Sequence, residues 1–283
     1  MRPNQWTKNF LLFAGLIFSG HLTDLSAVAT SSKAFIIFCL GSSSVYILND
    51  IIDRKSDRQH PQKKLRPIAA GKIEIPLALA IMSGMAALTI ALSVYWLSAP
   101  FTCVYVGYLI LMLAYQFILK QIVILDLIAV AVGFVLRALA GAVVLNVEIS
   151  PWLIICTFLL ALLMLMGKRR HEILILGKQA YTHRLILNEY SLRFLDQLIA
   201  VVTSSAVITY SLYTFSDDTV ARLGTRLMPL TIPFVIYGIF RYLYLTHQKN
   251  LGGAPDKLFF NDEALLVNTL LWAVTAMVIL YFA

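Results

Sequence analysis

Tyr46-Ile47-Leu48-Asn49-Asp50-Ile51-Ile52-Asp53-Arg54-Lys55-Ser56-Asp57 is the place where a long apolar run ends in a cluster of acids. Upstream of it, residues 32–52 are long and apolar enough to cross the hydrocarbon core, which takes about 20 helical residues. On a helix continuing past 52, Asn49, Asp53 and Asp57 stand at i, i+4 and i+8 and share one face, with Asp50 beside them. Three carboxylates and an amide at one helix end repel each other in a poor dielectric unless a cation neutralises them. Oxygen donors of this kind suit a hard divalent ion, and Mg2+ commonly joins one or two carboxylates to substrate phosphates. The plainer alternative is a solvated helix end whose acids pair with Arg54, Lys55 and Arg58.

The same apolar character extends in both directions. Of 283 residues, 59% are hydrophobic and 13% charged, against about 25% charged in soluble domains. Apolar runs and their breakers predict nine membrane helices, near 8–22, 32–52, 76–97, 99–119, 124–146, 151–168, 195–215, 228–246 and 264–283. Pro76, Pro100, Pro151 and Pro229 fall near the starts of four, where a missing N–H costs little. The runs lack the period-two alternation of a membrane β-barrel. No polar segment is long enough to fold alone, so the expectation is one polytopic domain, 1–283. The run from Phe10 to Leu22 follows a basic start but has no small-x-small cleavage site, and reads as a retained first span.

Charge placement orients the chain. With the first residues in the cytoplasm, all 23 Lys and Arg residues except Lys33, Arg137, Arg222 and Arg226 fall in inner segments, a strong positive-inside bias. The net charge of +8 therefore reflects topology, and no nucleic-acid partner is expected. Cys39, Cys103 and Cys156 lie inside apolar runs without CxxC spacing, which argues against a disulfide framework or a zinc site. Function is expected at the cytoplasmic face of a plasma (inner) membrane protein.

Basic groups follow the acids directly. His60-Pro61-Gln62-Lys63-Lys64-Leu65-Arg66-Pro67-Ile68-Ala69-Ala70-Gly71 puts Lys64 and Arg66 where they can hold phosphate oxygens left over by a metal. Tyr115, Lys120 and Asp126 flank the next inner loop, and Arg137 lies about three turns into the fifth span. A charge at that depth is expensive and faces a partner or ligand.

The N-D-x-x-D-x-x-x-D pattern after the second of nine spans resembles the UbiA superfamily of intramembrane prenyltransferases, over essentially the whole chain. The resemblance implies an all-α integral membrane bundle around a central cavity, open to the cytoplasm and laterally to lipid. It also implies a Mg2+-diphosphate site, with Asn49 and Asp53 as direct ligands supported by Asp50 and Asp57. Aromatic prenyltransferases of the superfamily carry a second aspartate motif between spans six and seven. Here that stretch reads Gly167-Lys168-Arg169-Arg170-His171-Glu172, followed by Lys178, His183, Arg184, Glu189 and Tyr190, with no DxxxD.

A cationic cluster in place of an acidic one calls for an anionic ligand without its own metal, because Arg grips phosphate bidentately and Lys adds a point charge. The strings at 1–9, 65–71, 133–142 and 167–172 resemble a branch of the superfamily that transfers phosphoribosyl groups. That resemblance implies 5-phosphoribosyl diphosphate as donor, a polyprenyl (decaprenyl-like) phosphate as acceptor and a role in cell-wall precursor synthesis. Under it, Asp50, Asp53, Asp57, Lys120 and Arg137 are the candidate catalytic groups and Asn49, Asp53 and Asp57 the candidate metal ligands. Lys8, Lys64, Arg66, Tyr115, Lys168, Arg169, Glu172, Arg184 and Tyr190 are the candidate substrate contacts. Competing readings are prenyl transfer to an aromatic acceptor, a transporter, and a membrane scaffold. Oligomeric state is left open.

Overall fold

The structure, a computed structural model, describes residues 2–59, 63–148, 150–176, 185–254, 258 and 261–282. Among these residues there is helix and no strand. In chain order the helices are α1 (Phe13–Phe18), α2 (Leu25–Ile52), α3 (Arg54–Gln59), α4 (Ile75–Trp96), α5 (Ala99–Phe117) and α6 (Leu125–Val144). They continue with α7 (Pro151–Leu176), α8 (Leu192–Phe215), α9 (Asp217–Leu223), α10 (Ile232–His247) and α11 (Glu263–Phe282). Eight segments among the described residues are long and apolar enough to cross a membrane. Their outer faces are studded with exposed Leu, Ile, Val and Phe, as on α4, where Leu77, Leu88 and Val94 are exposed. This is an all-helical, multi-pass membrane protein.

The ninth expected span takes a different form. Residues expected as a helix over 8–22 instead belong to a ten-residue 3-10 helix, Pro3–Leu12, running into the six-residue α1. A 3-10 helix rises about 2.0 Å per residue and an α-helix about 1.5 Å. The pair therefore covers about 29 Å, close to the hydrocarbon thickness, with fewer residues than an α-helix needs. Its path is antiparallel to α2: Arg2 meets Asp50, Trp6 Nε1 donates to Ser43 Oγ, Asn9 meets Cys39 and Ser42, and Phe10 stacks on Phe35. The sequence of this segment thus places Arg2 at the acidic end of α2.

Capping explains several boundaries. Asp24 accepts the Ser26 N–H and starts α2 well before residue 32, and Ser191 accepts from Phe194 to start α8. Hydrogen bonding around Asp24 also holds its carboxyl below the usual carboxylate range. The larger correction concerns the sixth span, expected to end at 168. α7 runs on to Leu176, so Lys168–Glu172 lie on helix and not in a loop.

The chain falls into two compact units, Met1–Ile149 with Tyr181–Ile186, and Ser150–Ala180 with Leu187–Ala283. The first is centred on Leu12, Ile37, Phe38, Phe101, Tyr105 and Tyr108. Two glycines set its helix spacing. A Cβ on Gly41 would collide with the Tyr105 hydroxyl, which donates to Thr89, and a Cβ on Gly141 would collide with the Leu12 carbonyl. In the second unit Gly167 accommodates the Tyr242 hydroxyl in the same way. That unit holds an apolar pocket of about 210 Å³ lined by residues including Leu163, Tyr210, Ile239, Tyr242 and Trp272.

Candidate active site

The acids lie at the polar end of α2, but the helix does not continue unbroken. α2 stops at Ile52, Asp53 is its C-cap, and α3 restarts at Arg54. Helical hydrogen bonds survive on both sides of the break, from Asp53 N to Asn49 O and from Asp57 N to Asp53 O. The stripe expected from the spacing is therefore kept, with a kink at its middle carboxylate.

Each carboxylate is met by a cation from a different part of the first unit. Asp50 Oδ1 accepts from Arg2 Nη2 and, at 3.2 Å, from Arg66 Nη1. The same Arg66 nitrogen donates to Asp57 Oδ2 at 2.5 Å. Lys120 Nζ donates to Asp53 Oδ1 at 3.1 Å. These partners replace the sequence-local pairing with Arg54, Lys55 and Arg58; Arg58 Nε instead donates to the Ala69 carbonyl.

Local structure delivers both loop cations. The 3-10 turn Lys63–Leu65 ends at Arg66, Pro67 opens a bonded turn, and Gly71 closes it with φ of 74°. Buried Ile68 and Ala69 anchor this loop. Lys120 rides on the 3-10 turn Leu119–Gln121, after which Ile124 adopts φ 70° and ψ −43°. For a β-branched residue such a conformation costs about 1–3 kcal/mol and is held only by its surroundings.

Burial ranks the three acids. The Asp57 side chain is 4% exposed against Arg66, and breaking a buried pair costs roughly 3–5 kcal/mol. The Asp53 side chain is 36% exposed and Lys120 16%, and an exposed pair is worth about 0.2–1 kcal/mol. Asp53 is thus the carboxylate most readily turned toward a ligand, while Asp57 is the one that fixes Arg66.

Arg137 lies elsewhere. It is 5% exposed, and Nε donates to Asn9 Oδ1, Nη1 to the Gly133 carbonyl and Nη2 to the Tyr108 hydroxyl. Its guanidinium also sits 4.6 Å from the Tyr108 ring centre. Arg137 is eleven positions along α6 from buried Asp126, about 16 Å at α-helical rise. Of the other expected contacts in this unit, Lys8 and Tyr115 are half-buried and Lys64 is exposed.

In the second unit the polar end of α7 has its own pairs. Arg169 Nη1 donates to Glu172 Oε2 at 2.8 Å. Arg170 Nε donates to Asp196 Oδ1, which also lies 3.2 Å from His247 Nε2. Lys168 is exposed, whereas Tyr190 is buried and packs on Phe194. Lys178, His183 and Arg184 fall outside the described residues.

Residues 10–262 match the sequence profile of the UbiA prenyltransferase family. The chain belongs to the UbiA family. It is 33% identical to a protein of Mycolicibacterium smegmatis described as decaprenyl-phosphate phosphoribosyltransferase, over 100% of this chain and 92% of that relative. A protein of Corynebacterium glutamicum with the same description is 32% identical, over 99% of this chain and 85% of the relative. Among solved structures, a UbiA homolog from Archaeoglobus fulgidus bound to GPP and Mg2+ superposes with a TM-score of 0.71 at 18% identity, covering 98% and 97% of the two chains. The same homolog has been solved with Cd2+, at a TM-score of 0.69 and 16% identity over 99% and 97% of the two chains. At that identity the likeness carries the fold.

In this UbiA chain the donor chemistry at the end of α2 fits a hard cation only in part. No three Asp, Glu, His or Cys residues among those described stand close enough to share a metal. Asn49 and Asp53 offer oxygen donors on one face, with Asp53 engaged only through Oδ1 by a weakly held lysine. A Mg2+ ion bound there would complete its shell with water and substrate phosphate, the usual arrangement for this ion.

Charge placement along the sequence marks Arg2 as an inside charge, and the structure sets it on Asp50. One signal was available: Arg2 and Arg66, the two arginines that reach Asp50, each stand immediately before a proline. A residue before proline is pushed out of the helical region, and Arg2 indeed lies outside it, with φ −122° and ψ 78°.

Proposed function

We propose that this UbiA-family enzyme transfers the 5-phosphoribosyl group from 5-phosphoribosyl diphosphate to a polyprenyl phosphate and releases diphosphate. One observation carries the reading: similarity at 32–33% identity along nearly the entire chain to proteins described as decaprenyl-phosphate phosphoribosyltransferases. The acid–cation network at the end of α2 supports it, because three phosphate-gripping cations already converge on three carboxylates. In the reaction a phosphate oxygen of the acceptor attacks C1 of the ribose. The bond from C1 to the diphosphate oxygen breaks, and its electron pair leaves with the diphosphate.

Asn49 and Asp53 would hold Mg2+, with Asp50 and Asp57 behind them, and Mg2+ bound there supplies neutralisation of charge on the leaving diphosphate. Lys8, Lys64, Arg66 and Lys120 bind the remaining phosphate oxygens of the donor. Tyr115 borders the same polar end of α5. Arg137 acts through Asn9, holding the segment that carries Lys8. On the second unit, Lys168 and Arg169, the latter oriented by Glu172, receive an anionic group, with Tyr190 in the same role; Arg184, outside the described residues, is assigned to that role from the sequence alone. A phosphate monoester is already ionised near pH 7, so positioning and electrostatics dominate and no side-chain nucleophile is required. We place the acids on the cytoplasmic face of the plasma membrane, from the distribution of Lys and Arg, and take the chain to work as one polytopic domain in cell-wall precursor supply.

The test uses purified protein, radiolabelled 5-phosphoribosyl diphosphate and polyprenyl phosphate, with Mg2+ or with EDTA. Label moving into organic-extractable lipid only with Mg2+ supports the reading. Activity on a prenyl diphosphate and an aromatic acceptor, with no phosphoribosyl transfer, overturns it in favour of the prenyl transfer for which the family is named.

A further inference from the structure

We infer that Arg2 is a diphosphate-binding residue that neutralises Asp50 while the site is empty and turns onto the donor's phosphate when Asp50 turns to a divalent cation. The inference rests on the phosphoribosyl reading for the identity of the donor, and on geometry for the rest. Charge balance comes first. Asp50, Asp53 and Asp57 are met by Arg2, Arg66 and Lys120, so three negative charges face three positive ones. A divalent cation on the acids leaves the cluster with a net positive charge and competes with Arg2 for Asp50 and with Lys120 for Asp53. A cation displaced in this way is matched by the diphosphate that arrives with the metal.

The second argument is why Arg2 belongs in that set and is not merely a surface arginine. Asp50 has two cationic partners, and one of them, Arg66, is committed to the buried Asp57. Arg2 is the partner that can leave. Its guanidinium lies 5.4 Å from the ring centre of Tyr46, one helical turn before Asp50, so ring and carboxylate guide it to the end of α2. Pro3 follows and keeps Arg2 out of the helical region, ahead of the 3-10 helix. The segment is anchored further along, by Trp6 on Ser43, Asn9 on Arg137 and Leu12 against Gly141. Arg2 can therefore move without unseating the segment. The Arg-Pro unit recurs at Arg66-Pro67, which gives two planar forks on one carboxylate, and a fork is the donor geometry that suits diphosphate.

The experiment compares the wild-type protein with Arg2→Ala, Arg2→Gln and Arg2→Lys, and uses Lys33→Ala, an exposed cation far along α2, as control. Three quantities are read: KM for each substrate, binding of inorganic diphosphate with Mg2+ by calorimetry, and binding of Mn2+ alone to substrate-free protein. Loss of a hydrogen bond to a charged group predicts that Arg2→Ala and Arg2→Gln weaken diphosphate binding and raise the donor KM by about tenfold or more. The acceptor KM stays as in wild type, and Arg2→Lys recovers part of the loss. Mn2+ alone binds the Ala and Gln variants several-fold more tightly, because Asp50 has lost a competing cation. A merely structural role moves none of these in that pattern. Unchanged diphosphate affinity, equal losses on both substrates, or weaker Mn2+ binding overturns the inference. A wild-type protein that binds diphosphate but transfers no phosphoribosyl group overturns the proposed reaction instead, and the two binding measurements still decide for Arg2.

Discussion

The bond between Asn9 and Arg137 allows a quantitative test of how the first segment is held. Asn9 is fully buried and Arg137 is 5% exposed, and Nε reaches Oδ1 at 2.8 Å. Among the described residues every hydrogen-bond partner of this guanidinium is neutral. Arg137→Met removes the donors and leaves two buried acceptors, Asn9 Oδ1 and the Tyr108 hydroxyl, each losing its partner at about 1–3 kcal/mol. Against that stands the relief of no longer burying an uncompensated charge, so the single variant is expected to lose less than the sum of the two. Asn9→Ala costs more per bond, because it strands a charged donor. The coupling between the two sites isolates the bond itself, and a hydrogen bond to a charged group is worth about 1.5–3 kcal/mol. Reversible unfolding in mixed detergent–SDS micelles, followed by circular dichroism on wild type, both singles and the double variant, measures it. Additivity within about 0.5 kcal/mol, the behaviour of independent sites, would refute the claim that Arg137 holds the segment through Asn9.

Asp53→Ala is expected to abolish transfer while leaving membrane insertion and thermal stability near wild type, since its lysine pair is worth only about 0.2–1 kcal/mol; an active variant removes Asp53 from the metal site. Gly141→Ala places a methyl against the Leu12 carbonyl and is expected to destabilise by about 3 kcal/mol, the upper end for an overpacked core, whereas an unchanged unfolding midpoint would mean that the first segment does not sit where it is described. Arg241 holds the Asp262 carboxyl below its usual range through two hydrogen bonds, helped by the Leu265 N–H. A depressed folded-state value gives stability that is present above about pH 4, the ordinary carboxylate range, and is lost as pH falls through the lower folded value. The melting temperatures of wild type and Asp262→Asn should therefore differ at pH 6–7 and draw together as the pH is lowered through the carboxylate range; a gap that does not narrow on acidification contradicts this.

Much of the architecture could be read from apolar runs because lipid-facing helices must be continuously apolar, and among the described residues eight segments long and apolar enough to cross a membrane overlap expected spans, two of them with an end displaced by about two helical turns. The misplaced ends have physical causes. Asp24 caps α2 earlier than hydropathy suggests, because capping depends on one side-chain oxygen and not on apolar content. Lys168–Glu172 stay helical because charged residues propagate a helix well once it leaves the hydrocarbon, so polarity marks the membrane surface and not the helix end. The first segment reads as an α-helix in the sequence because periodicity cannot distinguish a ten-residue 3-10 helix from a short span. At the site, spacing alone brought Asn49, Asp53 and Asp57 together. Their partners were not legible: Arg2, Arg66 and Lys120 come from three different segments, and only the packing of those segments decides which cation meets which acid. Asp196, shared by Arg170 and His247, was missed for the same reason.

The Asn9–Arg137 contact has a consequence for how the chain is made. The two residues are 128 positions apart. At a synthesis rate of roughly 5–20 residues per second, Asn9 exists for on the order of ten seconds before its guanidinium does. During that interval α2 can insert, but the first segment has neither Arg137 nor the Gly141 surface to settle on. The Pro3–Leu12 segment is thus made before most of its unit yet is among the last parts of it to reach its final place, and a chain arrested before α6 would carry a complete acidic stretch at the end of α2 with the Arg2 segment still unseated.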